Sequence, residues 1–366
     1  LKIICVMGAR PNFVKVAALY RAFSKCPEFS VSLVHTGQHH DDAMYKVFLT
    51  QLGLPEPDFS LCIHGGSHTE QTAQIMLAFE KVLSSESPDL VMVVGDVNSS
   101  LACALVAAKE GVPLAHVEAG LRSGDKSMPE EINRVLIDHM ADGLFVSEEA
   151  AVRNLQNEGI PSGKIHFVGN VMIDSLVYCR EKAMELPLLN DLGLKKRGYV
   201  VLTMHRPSNV DSLAELTLLA DLIQALCKIR PVVFPVHPRT KSSLISHGIW
   251  GQLENCSGLH LLPPQGYLEF INLISHAALV ITDSGGVQEE TTFLNVPCVT
   301  FRKSTERPST IGEGTNRLVG DLDVAHALGI ITEVLKKEKN QTSLPALWDG
   351  LAADRIVQII QKKYLK

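Results

Sequence analysis

ALVITDSGGVQEE, Ala278 to Glu290, is the stretch that decides the fold. An apolar, β-branched run ends at Asp283. Ser284, Gly285 and Gly286 then offer a tight turn, and the polar residues after them read as the start of a helix. A strand–turn–helix of this kind aims unpaired backbone N–H groups, and the positive end of a helix dipole, at whatever lies above the turn. The same grammar occurs near the beginning of the chain. There MGARPNFVK, Met7 to Lys15, follows the apolar run that starts at Lys2. Two anion cradles in one chain predict two α/β halves facing each other, with a phosphate-bearing ligand between them.

Strand-like and helical patterns alternate outward from both cradles. The first half carries candidate strands at residues 2–7, 32–36, 90–95, 114–118, 143–146 and 164–167. The second carries them at 199–204, 232–236, 259–262, 278–282 and 298–301. Such alternation predicts an α/β protein with a doubly wound parallel sheet in each half. The boundary is set after Gly169-Asn170, giving a first domain of residues 1–170 and a second of 171–350. The C-terminal helix, 351–366, is expected to join the first.

At 366 residues there is room for two domains of ordinary size. A net charge of −6 argues against a polynucleotide partner. The eight cysteines show no C-x-x-C spacing, so reduced thiols and a cytoplasmic location are expected, without a zinc site. No apolar run approaches membrane-span length, and no signal peptide is expected at Leu1 to Met7. No metal, cofactor, nucleic acid or membrane enters the expected chemistry.

Four constellations carry that chemistry. In GARP, Gly8 allows close backbone approach and Pro11 suits a first helical turn. Arg10 and Lys15 can meet phosphate, or can be two solvated cations on a capped helix. In DSGGVQEE, Glu290 lies one helical turn beyond Gly286. It can accept two ribose hydroxyls while the turn holds a diphosphate; the plainer alternative is an N-cap with acidic residues favouring the dipole. Asp96 and Glu118 end consecutive strands, on the edge where open sheets bind ligands, and PEEINR adds Glu130, Glu131 and Arg134. Crowded carboxylates suit general acid–base work on a C–H bond. His205 and His237 end two strands of the second half, where each can face ligand or serve as a structural hydrogen-bonder.

Taken together, GARPNFVK, HTGQH, VVGDVNSS, HVEAGLRSGD, PEEINR, MHRPSNVD, PVHP, LPPQGYLEF, ITDSGGVQEE and TERPSTIGEGTNRLVG closely resemble the non-hydrolysing UDP-N-acetylglucosamine 2-epimerases over nearly the whole chain. The resemblance implies two Rossmann-like domains in a GT-B arrangement, with the active site in the interdomain cleft. It implies a homodimer that interconverts UDP-GlcNAc and UDP-ManNAc by anti elimination of UDP and re-addition to a 2-acetamidoglucal. On the matched positions it assigns Asp96, Glu118 and Glu130 to the acid–base set without dividing the roles. It places His205 near diphosphate and sugar, and Arg10 and Lys15 at the phosphates, with Arg134 in support. It puts Ser284, Gly285 and Gly286 at the diphosphate, Glu290 at the ribose, and Gln265 and Phe270 beside the uracil. Arg307 and Arg317 match basic positions.

One departure stands out. Many bacterial relatives hold a second, regulatory UDP-GlcNAc with Gln and Arg side chains. Here Asp41 follows Gln38 and His39 where a Gln is expected, and Pro207-Ser208 replaces an Arg-bearing pair. Substrate activation through such a site is expected to be weak or absent. Hydrolytic epimerisation, epimerisation of a UDP-2,3-diacetamido sugar and GT-B glycosyl transfer are the alternatives.

Overall fold

The computed structural model describes residues 1–37, 42–320, 323–336 and 343–365; the side chains of Arg10 and of residues 42–44 lie outside that description. The chain forms two compact units. One comprises Leu1–Tyr178 with Ala346–Lys366, the other Cys179–Pro345. The passage from the first to the second therefore falls inside a helix, Val171–Met184.

In the first unit the strands are β1 (Lys2–Met7), β2 (Ser30–His35), β3 (Phe59–Ser60), β4 (Leu90–Val94), β5 (Leu114–Ala119), β6 (Gly143–Val146) and β7 (Ile165–Phe167). They pair in parallel in the order β3-β2-β1-β4-β5-β6-β7. Helices cover both faces, so the central strands read as unbroken apolar runs rather than alternating ones. IICVM of β1 and LVMVV of β4 are buried throughout. Ile4, Val91, Val93, Phe79, Leu101 and Leu144 belong to one core cluster. Strand order reverses at β1 and β4, which opens a crevice beyond their carboxyl ends.

The second unit repeats the plan with β8 (Val200–Thr203), β9 (Val232–Pro235), β10 (Leu259–Leu262), β11 (Leu279–Thr282), β12 (Cys298–Thr300) and β13 (Asn316–Leu318). Their parallel order is β10-β9-β8-β11-β12-β13. Its switch point lies between β8 and β11, the strands that lead into His205 and Asp283. Both sheets are thus of the doubly wound, Rossmann-like kind expected from the sequence.

The short strands β3 and β13 were not expected, because two or three residues cannot display a recognisable apolar run. The first helix, Arg10–Phe23, begins four residues before its apolar pattern does. Pro11 occupies the first turn without loss of a hydrogen bond, and Asn12 Oδ1 accepts the Ala9 N–H at 2.9 Å.

The C-terminal helix, Ala352–Tyr364, is stitched into the first unit. Asp174 accepts the N–H groups of Ala352 and Ala353, at 3.2 and 2.7 Å. Trp348 Nε1 donates to the Ser147 carbonyl at 3.0 Å. Gly169, at φ +89°, passes so close to the Leu347 carbonyl that a Cβ would overlap it. Among the described residues no helix is long and apolar enough to cross a membrane.

Candidate active site

In the first unit the site grows from the ends of β1, β4 and β5. Register between β5 and β6 slips between Val117 and Ala119, and Glu118 occupies the slip with φ +72°. A left-handed backbone costs a residue with a Cβ on the order of 1–2 kcal/mol, so its neighbours must hold it there. Lys15, on the helix that follows β1, pairs its ammonium with the Glu118 carboxylate. Both are buried, with 4% and 6% of their surface exposed. The close approach needs Gly95, at φ +64°, whose Cβ would lie 3.3 Å from Lys15 Nζ. The resemblance implies a place for Lys15 at the phosphates; its ammonium here pairs with Glu118.

Asp96 follows Gly95 and keeps 23% of its side chain exposed. Arg134, only 2% exposed, donates to Asp96 Oδ2 from Nη2 at 2.5 Å and from Nε at 3.1 Å, and to Glu131 Oε2 at 2.8 Å. Asn133 donates to the Asp96 carbonyl at 2.8 Å. Glu131 also accepts from the Ser123 and Gly124 N–H groups, both at 2.9 Å, so it is the latch of the preceding loop. The two acids of PEE thus separate. Glu131 is buried and fully engaged, whereas Glu130 is half-buried in the first turn of Pro129–Met140 and makes no hydrogen bond or ion pair among the described residues. Asp96, Glu118 and Arg134 are brought to one sheet edge, and Glu130 opens the helix that carries Arg134.

In the second unit Asp283 is wholly buried and organises the turn. Its Oδ1 lies 2.8 Å from His205 Nδ1. Its Oδ2 accepts from the His205 and Arg206 N–H groups, at 3.0 and 2.8 Å, and from Asn209 at 3.0 Å. Burial works against its charge, but the bonds from His205, Arg206 and Asn209 prevail and hold the carboxyl down at about 2. The bond to Nδ1 fixes the His205 ring, which leaves Nε2 on the part-exposed side. His237 stands beside it, ring centroids 5.4 Å apart, and caps the helix Pro238–Ser246 from an exposed position.

Ser284 caps the helix Gly285–Phe293. Arg307 packs closely on Gly285: a Cβ there would lie 2.5 Å from Arg307 Nη1, so a larger residue would displace the guanidinium. Arg307 is itself buried. Its Nε lies 2.9 Å from Glu289 Oε1, its Nη1 pairs with Glu306, and Arg302 meets the other Glu306 oxygen at 2.6 Å. Two guanidinium groups thus balance Glu289 and Glu306. Among the described residues Glu290 has no cation of its own; burial first, and then the Glu289 charge, push it up to about 8 against a hydrogen bond from Tyr267.

The remaining expected residues have these places. Gln265 folds back to donate to the Pro263 carbonyl at 2.8 Å, and Phe270 is half-buried on Tyr267–His276. Arg307 reaches the site from behind Gly285 rather than from an open face. Arg317 sits on the surface of β13, 3.3 Å from Glu333, away from the turn. The Arg10 side chain, and Gln38, His39 and Asp41, lie outside the described residues. Sequence reading passed over Asp283 as an anchor and Glu289 and Glu306 as counter-charges. Only the strand-end position of Asp283 signalled it.

The family model described as UDP-N-acetylglucosamine 2-epimerase matches residues 21–361. A UDP-N-acetylglucosamine 2-epimerase of Methanococcus maripaludis is 40% identical over 98% of both chains. A UDP-2,3-diacetamido-2,3-dideoxy-D-glucuronate 2-epimerase of Pseudomonas aeruginosa is 42% identical over 87% of this chain and 88% of its own. The crystal structure of a Methanocaldococcus jannaschii UDP-GlcNAc 2-epimerase, in complex with UDP-GlcNAc and UDP, superposes with a TM-score of 0.92. It is 39% identical and covers 99% of this chain and 100% of its own.

Proposed function

We propose that this chain, which belongs to the UDP-N-acetylglucosamine 2-epimerase family, reversibly interconverts UDP-GlcNAc and UDP-ManNAc without net hydrolysis. The observation that carries the reading is the acid set of the first unit, with Glu118 held by Lys15 and Asp96 held by Arg134 on one sheet edge, and Glu130 on the adjoining helix. In the forward step a carboxylate takes the C2 proton. The C–H electron pair becomes the C1=C2 bond of a 2-acetamidoglucal, and the C1–O bond breaks with its electrons leaving on UDP. In the return step a UDP oxygen attacks C1, and a second acid delivers a proton to the opposite face of C2. No redox cofactor is needed; the first carboxylate passes its proton to solvent and the second acid is re-protonated from it, which resets the pair.

The second unit supplies the hold on the leaving group. The N–H groups of the Ser284–Gly286 turn and the oriented His205 ring take the diphosphate, joined by Arg10, and Glu290 takes the ribose. His237, Gln265 and Phe270 complete the nucleotide's surroundings on this reading. The enzyme is a cytoplasmic homodimer, which light scattering tests for assembly.

An NMR time course of UDP-GlcNAc in deuterated water tests the chemistry. Deuterium at C2 of both sugars, with UDP-ManNAc accumulating, is expected. Free ManNAc in step with UDP would establish hydrolysis, and unlabelled C2 would sink the proposal. Glu118→Gln and Glu130→Gln should each lower turnover by orders of magnitude while retaining UDP binding. The likeness to the P. aeruginosa enzyme favours one second reading, the same C2 chemistry on a UDP-2,3-diacetamido uronate. The same assay with that sugar decides it.

A further inference from the structure

The backbone that carries Glu118 is strained, and beneath it lies a buried polar ladder that the reaction itself does not use. His116 and Asp138 are both fully buried. His116 Nδ1 lies 2.7 Å from Asp138 Oδ1, and its Nε2 lies 3.0 Å from the carbonyl oxygen of Gly95. Each ring nitrogen thus faces an oxygen of a different segment. Asp138 Oδ2 accepts the Gly120 N–H at 3.0 Å and meets Arg122 Nη1 at 2.7 Å. Arg122 in turn grips Glu158 with two bonds of 2.7 Å.

The placement of these bonds is what matters. One carboxylate, on the helix Pro129–Met140, ties residue 116 and residue 120, the two flanks of Glu118. Through the imidazole it also ties the carbonyl of Gly95, the residue before Asp96. Gly120, at φ +79°, is pinned from outside as well, since a Cβ there would lie 2.5 Å from the Ala151 carbonyl. The slip in β5 is therefore bracketed on both sides, and the turn that bears Asp96 is locked to the same carboxylate.

We propose that Asp138, acting through His116, is a positioning residue that fixes Glu118 and Asp96 at one mutual separation. The inference rests on the epimerase reading, in which those two carboxylates face the sugar. Asp138→Asn retains shape but replaces one acceptor oxygen with an NH2 group facing donors, which leaves at least one of His116, Gly120 and Arg122 unmatched. A misplacement of about 1 Å can cost two orders of magnitude in rate. The Ser284–Gly286 turn, His205 and Glu290 belong to the other unit, so UDP affinity reads that part of the site separately.

The test follows C2 deuterium incorporation and steady-state rates for wild type, Asp138→Asn, His116→Gln and Glu158→Gln, with UDP affinity measured by calorimetry. Asp138→Asn and His116→Gln are expected to lower kcat by about 10- to 100-fold, with KM and UDP affinity within threefold of wild type. Glu158→Gln, at the outer end of the ladder, keeps kcat within twofold. If Asp138→Asn does not fold, His116→Gln decides alone. The inference is overturned if folded variants keep wild-type kcat, or if kcat and UDP affinity fall together. A wild-type protein that incorporates no deuterium overturns the epimerase reading, and this inference with it.

Discussion

On the proposed ribose contact, Glu290 should make nucleoside binding a proton-releasing event. Its carboxyl is raised from an ordinary 4.5 to about 8, because it is buried beside Glu289 while both nearby guanidinium groups are spent on Glu289 and Glu306. If both ribose hydroxyls donate, one to each carboxyl oxygen, only the ionised form offers two acceptors. Below pH 8 the site must therefore expel a proton before it can bind, and each unit costs about 1.4 kcal/mol, a factor of ten. At pH 6 the penalty is two units, so affinity should be about a hundredfold weaker than its plateau above pH 8.

Uridine is the right probe, since it carries no phosphate to titrate and does not call on His205. Calorimetry in buffers of different ionisation enthalpy should count close to one proton released per uridine at pH 6 and about half of one at pH 8. Glu290→Gln should bind uridine more weakly at pH 8.5, and with no slope. Constant uridine affinity for the wild type between pH 6 and 8, or a slope that survives in Glu290→Gln, would refute the reasoning.

Three further outcomes follow from the geometry. Gly285→Ala drives a methyl against Arg307 Nη1 and Glu306 Oε1, at 2.5 and 3.0 Å. It should cost about 1–3 kcal/mol and weaken UDP binding, and an unchanged melting curve would contradict the close approach. Asp283 is held below its ordinary 3.8, at about 2. Its contribution is therefore present above pH 4 and lost as pH falls through 2, about 2 kcal/mol in all. Denaturant unfolding between pH 5 and 2.5 should show that loss in wild type and not in Asp283→Asn; parallel curves count against it. Finally, rate against UDP-GlcNAc concentration should be hyperbolic, given Asp41 and Pro207-Ser208, and clear sigmoidality would revive a second substrate site.

The two sheets were legible because their central strands are continuous apolar runs that end in glycine or acidic residues. Residues 143–146 and 259–262 could be bounded from composition alone. Strands held mainly by their neighbours, Phe59–Ser60 and Asn316–Leu318, left no such trace. At the site, strand-end position was enough to single out Asp96, Glu118 and His205, and spacing from the Ser284–Gly286 turn singled out Glu290. What it could not convey was partnership. Lys15 turning to Glu118, Arg307 turning inward to Glu289 and Glu306, and Glu131 leaving Glu130 alone are all decided by contacts between residues distant in sequence. The slip at Glu118 was equally hidden, since alternation along LAHVEA gives no sign of a missed register.

The stitching of Ala352–Tyr364 onto the first unit bears on how the molecule is made. Translation delivers most of the first sheet before the second unit, yet the residues that cap it, Trp348 and the helix held by Asp174, emerge only after that unit. The intervening unit has all its strands long before then. During synthesis the middle of the chain can thus mature on its own, while the opening segment waits, unfinished, for its closing piece. Truncations or fusions near the C-terminus would accordingly be felt at the ribosome first, as poor yield of the amino-terminal half, before any effect on turnover could be measured.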